Sequence, residues 1–104
     1  MDEDEKYEKL LKYSDPEKVR RNLHKYLGDI PLYISTRRTK KYMIQKPDGK
    51  FIHFGQFDPP MEDYTKHQNE IRRINYLNRA TNIKGKWRDD PYSPNNLSIF
   101  LTWS

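Results

Sequence analysis

Lys40-Lys41-Tyr42-Met43-Ile44-Gln45-Lys46-Pro47-Asp48-Gly49-Lys50-Phe51-Ile52-His53-Phe54-Gly55-Gln56 is the stretch that decides the fold. Two runs that include aromatic and β-branched residues flank Pro47-Asp48-Gly49. Asp-Gly between such runs signals a hairpin, because glycine accepts the positive φ that a tight turn demands. Residues 40–46 and 50–56 are therefore predicted as antiparallel strands. Side chains alternate along a strand, so Tyr42 and Ile44 share one face, as do Ile52 and Phe54, while His53 points the other way. Just upstream, Leu32-Tyr33-Ile34 follows Pro31 and reads as a short edge strand.

Helices are predicted on both sides of this sheet. Over residues 3–14, Tyr7, Leu10 and Leu11 fall at i, i+3, i+4 spacing, with acids in front and Lys9 and Lys12 behind, as the helix dipole favours. Asp15-Pro16 is a helix start, with Asp as N-cap and Pro at the first position. Val19, Leu23, Tyr26 and Leu27 then form one stripe that ends at Gly28. Beyond Asp58-Pro59-Pro60, Thr65-Lys66-His67-Gln68 fits a capping box, and Ile71, Ile74 and Leu77 predict the buried face of one long helix reaching Ala80. Residues 82–96 read as loop. Asn95 or Asn96 then caps a short last helix carrying Leu97, Phe100 and Leu101. The expected fold is α+β: two N-terminal helices, a small antiparallel sheet with a central hairpin, one long helix and a short C-terminal helix. Residues 1–31 are expected as a helical N-terminal arm and residues 32–104 as a compact domain. The first helix has too few apolar positions to anchor it strongly, so removing residues 1–14 should leave the rest folded.

Composition narrows the function. A chain of 104 residues holds one modest core and little room for a deep substrate cleft. Only 34% of it is apolar, yet 13% is aromatic, so large rings must supply much of the burial. There is no cysteine, which excludes disulfides, a thiolate nucleophile and cysteine-based zinc modules. No apolar run approaches the roughly 20 residues that span a bilayer, and the acidic start is opposite in sign to a secretory leader. A soluble, intracellular or packaged protein is the expectation. The net charge of +5 is unevenly placed: residues 32–57 carry six bases against Asp48 alone.

Three kinds of chemistry compete for these residues. His53 and His67, with Asp58, Glu62 and Asp63 between them, suggest metal or acid–base work. His53 sits in a strand pattern, however, and His67 beside a helix stripe, and neither lies in a metal-binding spacing. No enzyme activity, metal or other cofactor is expected, and no small-molecule substrate. The basic run Arg37, Arg38, Lys40 and Lys41, and a second cluster of Lys84, Lys86 and Arg88 around Trp87, suit phosphates or an acidic protein face. None of the standard nucleic-acid modules is legible beside them. Tyr7, Tyr13, Trp87 and Tyr92 are the natural anchors for a protein interface, where aromatic residues are enriched.

From Lys41 onward the chain resembles a small domain of unknown function found in large double-stranded DNA viruses, the mimivirus, chlorella-virus and related lineages. The residues that carry the resemblance are Lys41-Tyr42, Gly49-Lys50-Phe51-Ile52-His53-Phe54-Gly55, Glu62-Asp63-Tyr64-Thr65-Lys66-His67, Arg72-Arg73 and Tyr76-Leu77-Asn78-Arg79-Ala80. Asp90-Pro91-Tyr92-Ser93-Pro94-Asn95-Asn96 and the run to Trp103 complete them. The resemblance implies viral origin and a place in the virion, reached through the host cytoplasm or a viral factory. It brings no catalytic residues with it. The expectation is a non-enzymatic minor structural protein contacting capsid or other virion proteins. The alternative is a basic accessory protein contacting nucleic acid.

Overall fold

A computed structural model describes all of residues 1–104. The elements run α1 (Glu3–Leu10), α2 (Pro16–Leu27), β1 (Tyr33–Ile34), β2 (Lys40–Gln45), β3 (Phe51–Gln56), α3 (Tyr64–His67), α4 (Glu70–Thr81) and α5 (Pro94–Leu97). A 3₁₀ turn at Trp87–Asp89 precedes α5, and a π-helical turn at Ser98–Thr102 continues it. The chain is an α+β fold around one three-stranded antiparallel sheet in the order β1-β2-β3.

The hairpin forms where the sequence places it. Tyr42 pairs with Phe54 and Ile44 with Ile52. Gly49, at φ +90°, closes the turn by donating to the Lys46 carbonyl at 2.9 Å. Tyr42, Ile44 and Phe54 are fully buried in a core shared with Leu10, Val19, Leu23, Phe57, Leu97 and Leu101. Leu10, Val19 and Leu23 all come from the segment expected to be an arm. Residues 1–31 therefore share the core of residues 32–104 instead of standing apart from it. The physical reason is leverage: Leu10 is one side chain, but it belongs to the shared core and is completely enclosed.

Two further expectations are corrected. The long helix predicted from Thr65 to Ala80 is broken at Gln68, which sits in the left-handed region at φ +53°. Asp63 caps α3 and Asn69 caps α4, each accepting a backbone N–H, so local capping overrides helix continuation. Helix α4 is also turned by about a third of a revolution from the expected phase. Its inward residues are Arg73, Tyr76, Leu77 and Ala80, so Leu77 keeps its expected side while Ile71 and Ile74 do not, and Tyr76 stacks flat on Trp103 at 4.1 Å between centroids. The ring-on-ring contact and the small Ala80 permit a closer approach than a row of isoleucines, and Ile71 and Ile74 are left in solvent. At the C-terminus, Ser93 and not Asn95 or Asn96 is the cap of α5.

A buried polar network ties the N-terminal helices to the sheet. The Tyr42 hydroxyl donates to Ser14 Oγ at 2.6 Å, and Thr65 Oγ1 accepts from the Asp15 backbone N–H at 3.0 Å. Burial raises the Tyr42 pKa far above its ordinary value. The phenol thus stays protonated in the folded state, while in the unfolded chain it ionises near pH ~10. Its contribution is fully present below that value and is lost as pH rises beyond it. Stability measured by denaturant titration should decline above about pH 10 with a slope approaching 1.4 kcal/mol per pH unit from this group. The decline should be shallower in Tyr42→Phe. An identical alkaline profile in that variant would remove Tyr42 as its source.

Candidate functional site

The basic block of residues 37–41 separates into different fates. Arg37 and Arg38 are exposed on the turn between β1 and β2, and Arg38 pairs with Asp58. Lys40 is half-buried. Lys41, expected to reach phosphates, is instead 1% exposed. Its Nζ donates to Asp63 Oδ2 at 3.0 Å, to the Tyr13 carbonyl at 3.3 Å and to the Met61 carbonyl. Burial lowers the Lys41 pKa, and the Asp63 carboxylate opposes that shift. The alternation of β2 points Lys41 away from the core, but the loop 58–63 folds over that face. Gly55 makes the crossing possible: a Cβ there would lie 3.1 Å from Lys41 Cβ. Lys41 is a tie beam, not a contact residue.

A second buried ammonium, Lys6, has no signature in the sequence. Its Nζ donates to the carbonyls of Ser35, Arg37 and Lys40 at 2.7, 2.8 and 2.8 Å. The β1–β2 turn leaves those carbonyls without ladder partners, and an ammonium has three N–H groups to offer. The exposed arginines at the turn's tip are therefore held by an α1 side chain.

The histidines do not meet at a site. His53 Nδ1 is hydrogen-bonded to Ser35 Oγ at 2.7 Å, and its pKa is lowered first by burial and then by Arg37, Lys6 and Lys40. His67 Nδ1 accepts from the Asn69 N–H at 2.9 Å, and its ring lies edge-on to Trp103. Its Nε2 is buried without a hydrogen-bond partner. Asp63, the carboxylate between them, is committed to Lys41 and the α3 cap. No group of three or more His, Asp or Glu side chains is placed to hold a metal ion.

The second basic cluster stays on the surface. Lys84, Lys86 and Arg88 are exposed, and none of them forms an ion pair. The Arg88 guanidinium lies 4.4 Å from the Trp87 ring centroid and donates to the Thr81 carbonyl. Beside it, Tyr26 and Phe100 stack at 4.7 Å. Trp87 is half-buried, its Nε1 bonded to the Ile83 carbonyl at 2.7 Å. Of the other proposed anchors, Tyr7 is exposed on α1, Tyr13 is half-buried and Tyr92 packs against the core.

The surface that sequence reasoning missed is the outer face of α4. Ile71 is 73% exposed and Ile74 49%, and Ile83 lies open just beyond the helix. Residues 64–88 carry seven bases against one acid, Glu70, a net of +6. The whole positive excess of the chain is thus matched by this stretch alone. Ile71 and Ile74, one turn apart, with Ile83 beyond them, place apolar side chains on a basic stretch, and contiguous exposed apolar surface is what marks an interaction site. The signal was in the sequence, because α4 carries two apolar sets, Ile71/Ile74 and Tyr76/Ala80, and only one can face inward.

Residues 30–80 match the profile of a family described as a family of unknown function (DUF5754). The match spans the sheet, α3 and most of α4. It starts upstream of Lys41, where the sequence resemblance begins, and stops before the Pro91–Trp103 run. No curated protein and no solved structure matches the chain. No helix is long and apolar enough to cross a membrane.

Proposed function

We propose that this chain is a non-enzymatic binding protein that acts through protein–protein contacts, as a minor structural component of a large DNA virus particle. The observation that carries the binding role is the outward face of α4, where Ile71 and Ile74 stand in solvent while Tyr76 and Ala80 do the packing. Leaving such side chains exposed forgoes roughly 1.5–3 kcal/mol each in burial that an interface would recover. The buried polar network supports the same reading. Lys41, Asp63, Tyr42, Ser14 and Thr65 are enclosed and bonded to one another or to backbone, which makes them scaffold. The viral setting rests on the sequence resemblance of residues 41–104.

A second reading is nucleic-acid contact. Lys84, Lys86 and Arg88 beside Trp87 and the Tyr26–Phe100 stack favour it, since free cations next to flat rings suit a single strand. Salt separates the two. Phosphate contacts weaken by roughly 0.9 log units per log unit of salt for each phosphate neutralised on duplex DNA. When particles are stripped at high salt and split into shell and genome fractions, the protein should remain with the shell. Quantitative release with the genome would overturn the structural role and promote the second reading.

A further inference from the structure

The outer face of α4 has a complement on the same chain. Helix α1 places Tyr7 and Leu11 four residues apart on one side, 43% and 40% exposed. By helical spacing Glu3 borders that stripe on one side, and Asp4 and Glu8 border it on the other, all three exposed. Lys6 and Leu10 point inward, so the acidic, partly apolar face is free. Helix α4 presents the inverse: Ile71 and Ile74 are exposed, Arg79 and Arg72 flank them on one side by helical spacing, Arg72 bridged to Glu62 at 3.8 Å, and Lys84 is exposed just past the helix end.

We propose that a second copy of this chain covers the α4 face, seating its α1 there, so that copies associate head to tail. This rests on the protein–protein reading above and names the partner. Charge selects the occupant. An α4-to-α4 contact would set a +6 segment against itself, and like charges across an interface disfavour it. An α1-to-α4 contact sets Glu3, Asp4 and Glu8 against that segment. The two faces are different surfaces, so each copy offers one of each. The contact is heterologous and grows chains or rings rather than stopping at a dimer. One face is an 8-residue helix, about 12 Å long at ~1.5 Å per residue, so the area is small and the single contact weak. An array of copies would multiply it by avidity.

The test is sedimentation of the purified full chain over a concentration series reaching millimolar. At about 50 mM salt the weight-average mass should climb past that of a dimer, and at about 500 mM, where screening is short-ranged, association should weaken at least tenfold. Ile71→Asp/Ile74→Asp alters only exposed side chains on α4, and Asp4→Lys/Glu8→Lys only exposed ones on α1. Each variant alone should be monomeric with an unchanged circular dichroism spectrum. Mixed together, they should form a 1:1 dimer that grows no further, because one retains an intact α1 face and the other an intact α4 face. A monomeric parent at every concentration would overturn the proposal. So would persistent self-association of either variant, or a mixture that stays monomeric. Shell retention without self-association would leave the binding role standing and refute only the second copy as its partner.

Discussion

Lys41→Met is expected to destabilise the fold by about 3–5 kcal/mol, the usual cost of breaking a buried ion pair from one side. Methionine fills the space of the lysine stem across Gly55, so packing is largely kept and the charge is what is lost. Asp63 would remain 1% exposed. Its Oδ1 would still accept from the Thr65 N–H at 3.1 Å, but Oδ2 would lose its counter-ion. The Met61 carbonyl would lose its Lys41 donor at the same time, while the Tyr13 carbonyl would keep the Asp63 N–H at 2.9 Å. Against a typical total of ~5–15 kcal/mol, that loss is a large share, and the urea midpoint should fall accordingly. Lys41→Met/Asp63→Asn should recover much of it, because asparagine removes the stranded charge and still caps α3. A single variant that unfolds at the parent's midpoint would show that the pair contributes nothing net.

The contrast between Lys41 and its neighbours explains which parts of this protein can be read from its sequence. The hairpin is legible because Asp48-Gly49 and the alternation of Tyr42, Ile44, Ile52 and Phe54 are local signals with one solution. The Asp15-Pro16 start of α2 is equally local, and it forms as read. Lys41 is not legible, because its burial depends on the loop 58–63 returning over the outer sheet face, a contact between positions 22 residues apart in sequence. Lys6 depends on a still longer return, 29 to 34 residues, to the carbonyls of the β1–β2 turn. The period of α4 was legible and its phase was not. Tyr76 and Ile74 are both apolar enough to face inward, and the deciding partner, Trp103, lies far along the chain. The candidate surface follows from that same ambiguity, since the set of side chains that loses the inward position becomes the exposed face.

Deleting residues 1–14 is expected to abolish cooperative unfolding, the opposite of what the thin apolar content of α1 suggests. The deletion removes Leu10, which is completely enclosed, and even Leu→Ala at such a site costs about 2–5 kcal/mol. It takes the Lys6 donor from the Ser35 and Lys40 carbonyls, at roughly 1–3 kcal/mol for each that water does not reach, while the Arg37 carbonyl keeps the Lys40 N–H at 3.2 Å. It also takes away the Tyr13 carbonyl, which accepts from Lys41 Nζ and from the Asp63 N–H at 2.9 Å, and Ser14, the acceptor of the Tyr42 hydroxyl. The low ends of these costs together approach the whole stability of a small domain. Thermal melts followed by circular dichroism should change from a sigmoid to a shallow, featureless slope. Lys6→Met should give a graded result, a lower but still cooperative midpoint, because Leu10 and Ser14 stay in place. A truncated chain melting at the parent's midpoint would show that α1 only leans on the domain. The outcome also bears on self-association. If α1 is part of the core, truncation unfolds the protein and says nothing about its acidic face. Asp4→Lys/Glu8→Lys, which changes only side chains in solvent, is then the variant that isolates what α1 offers to a second copy.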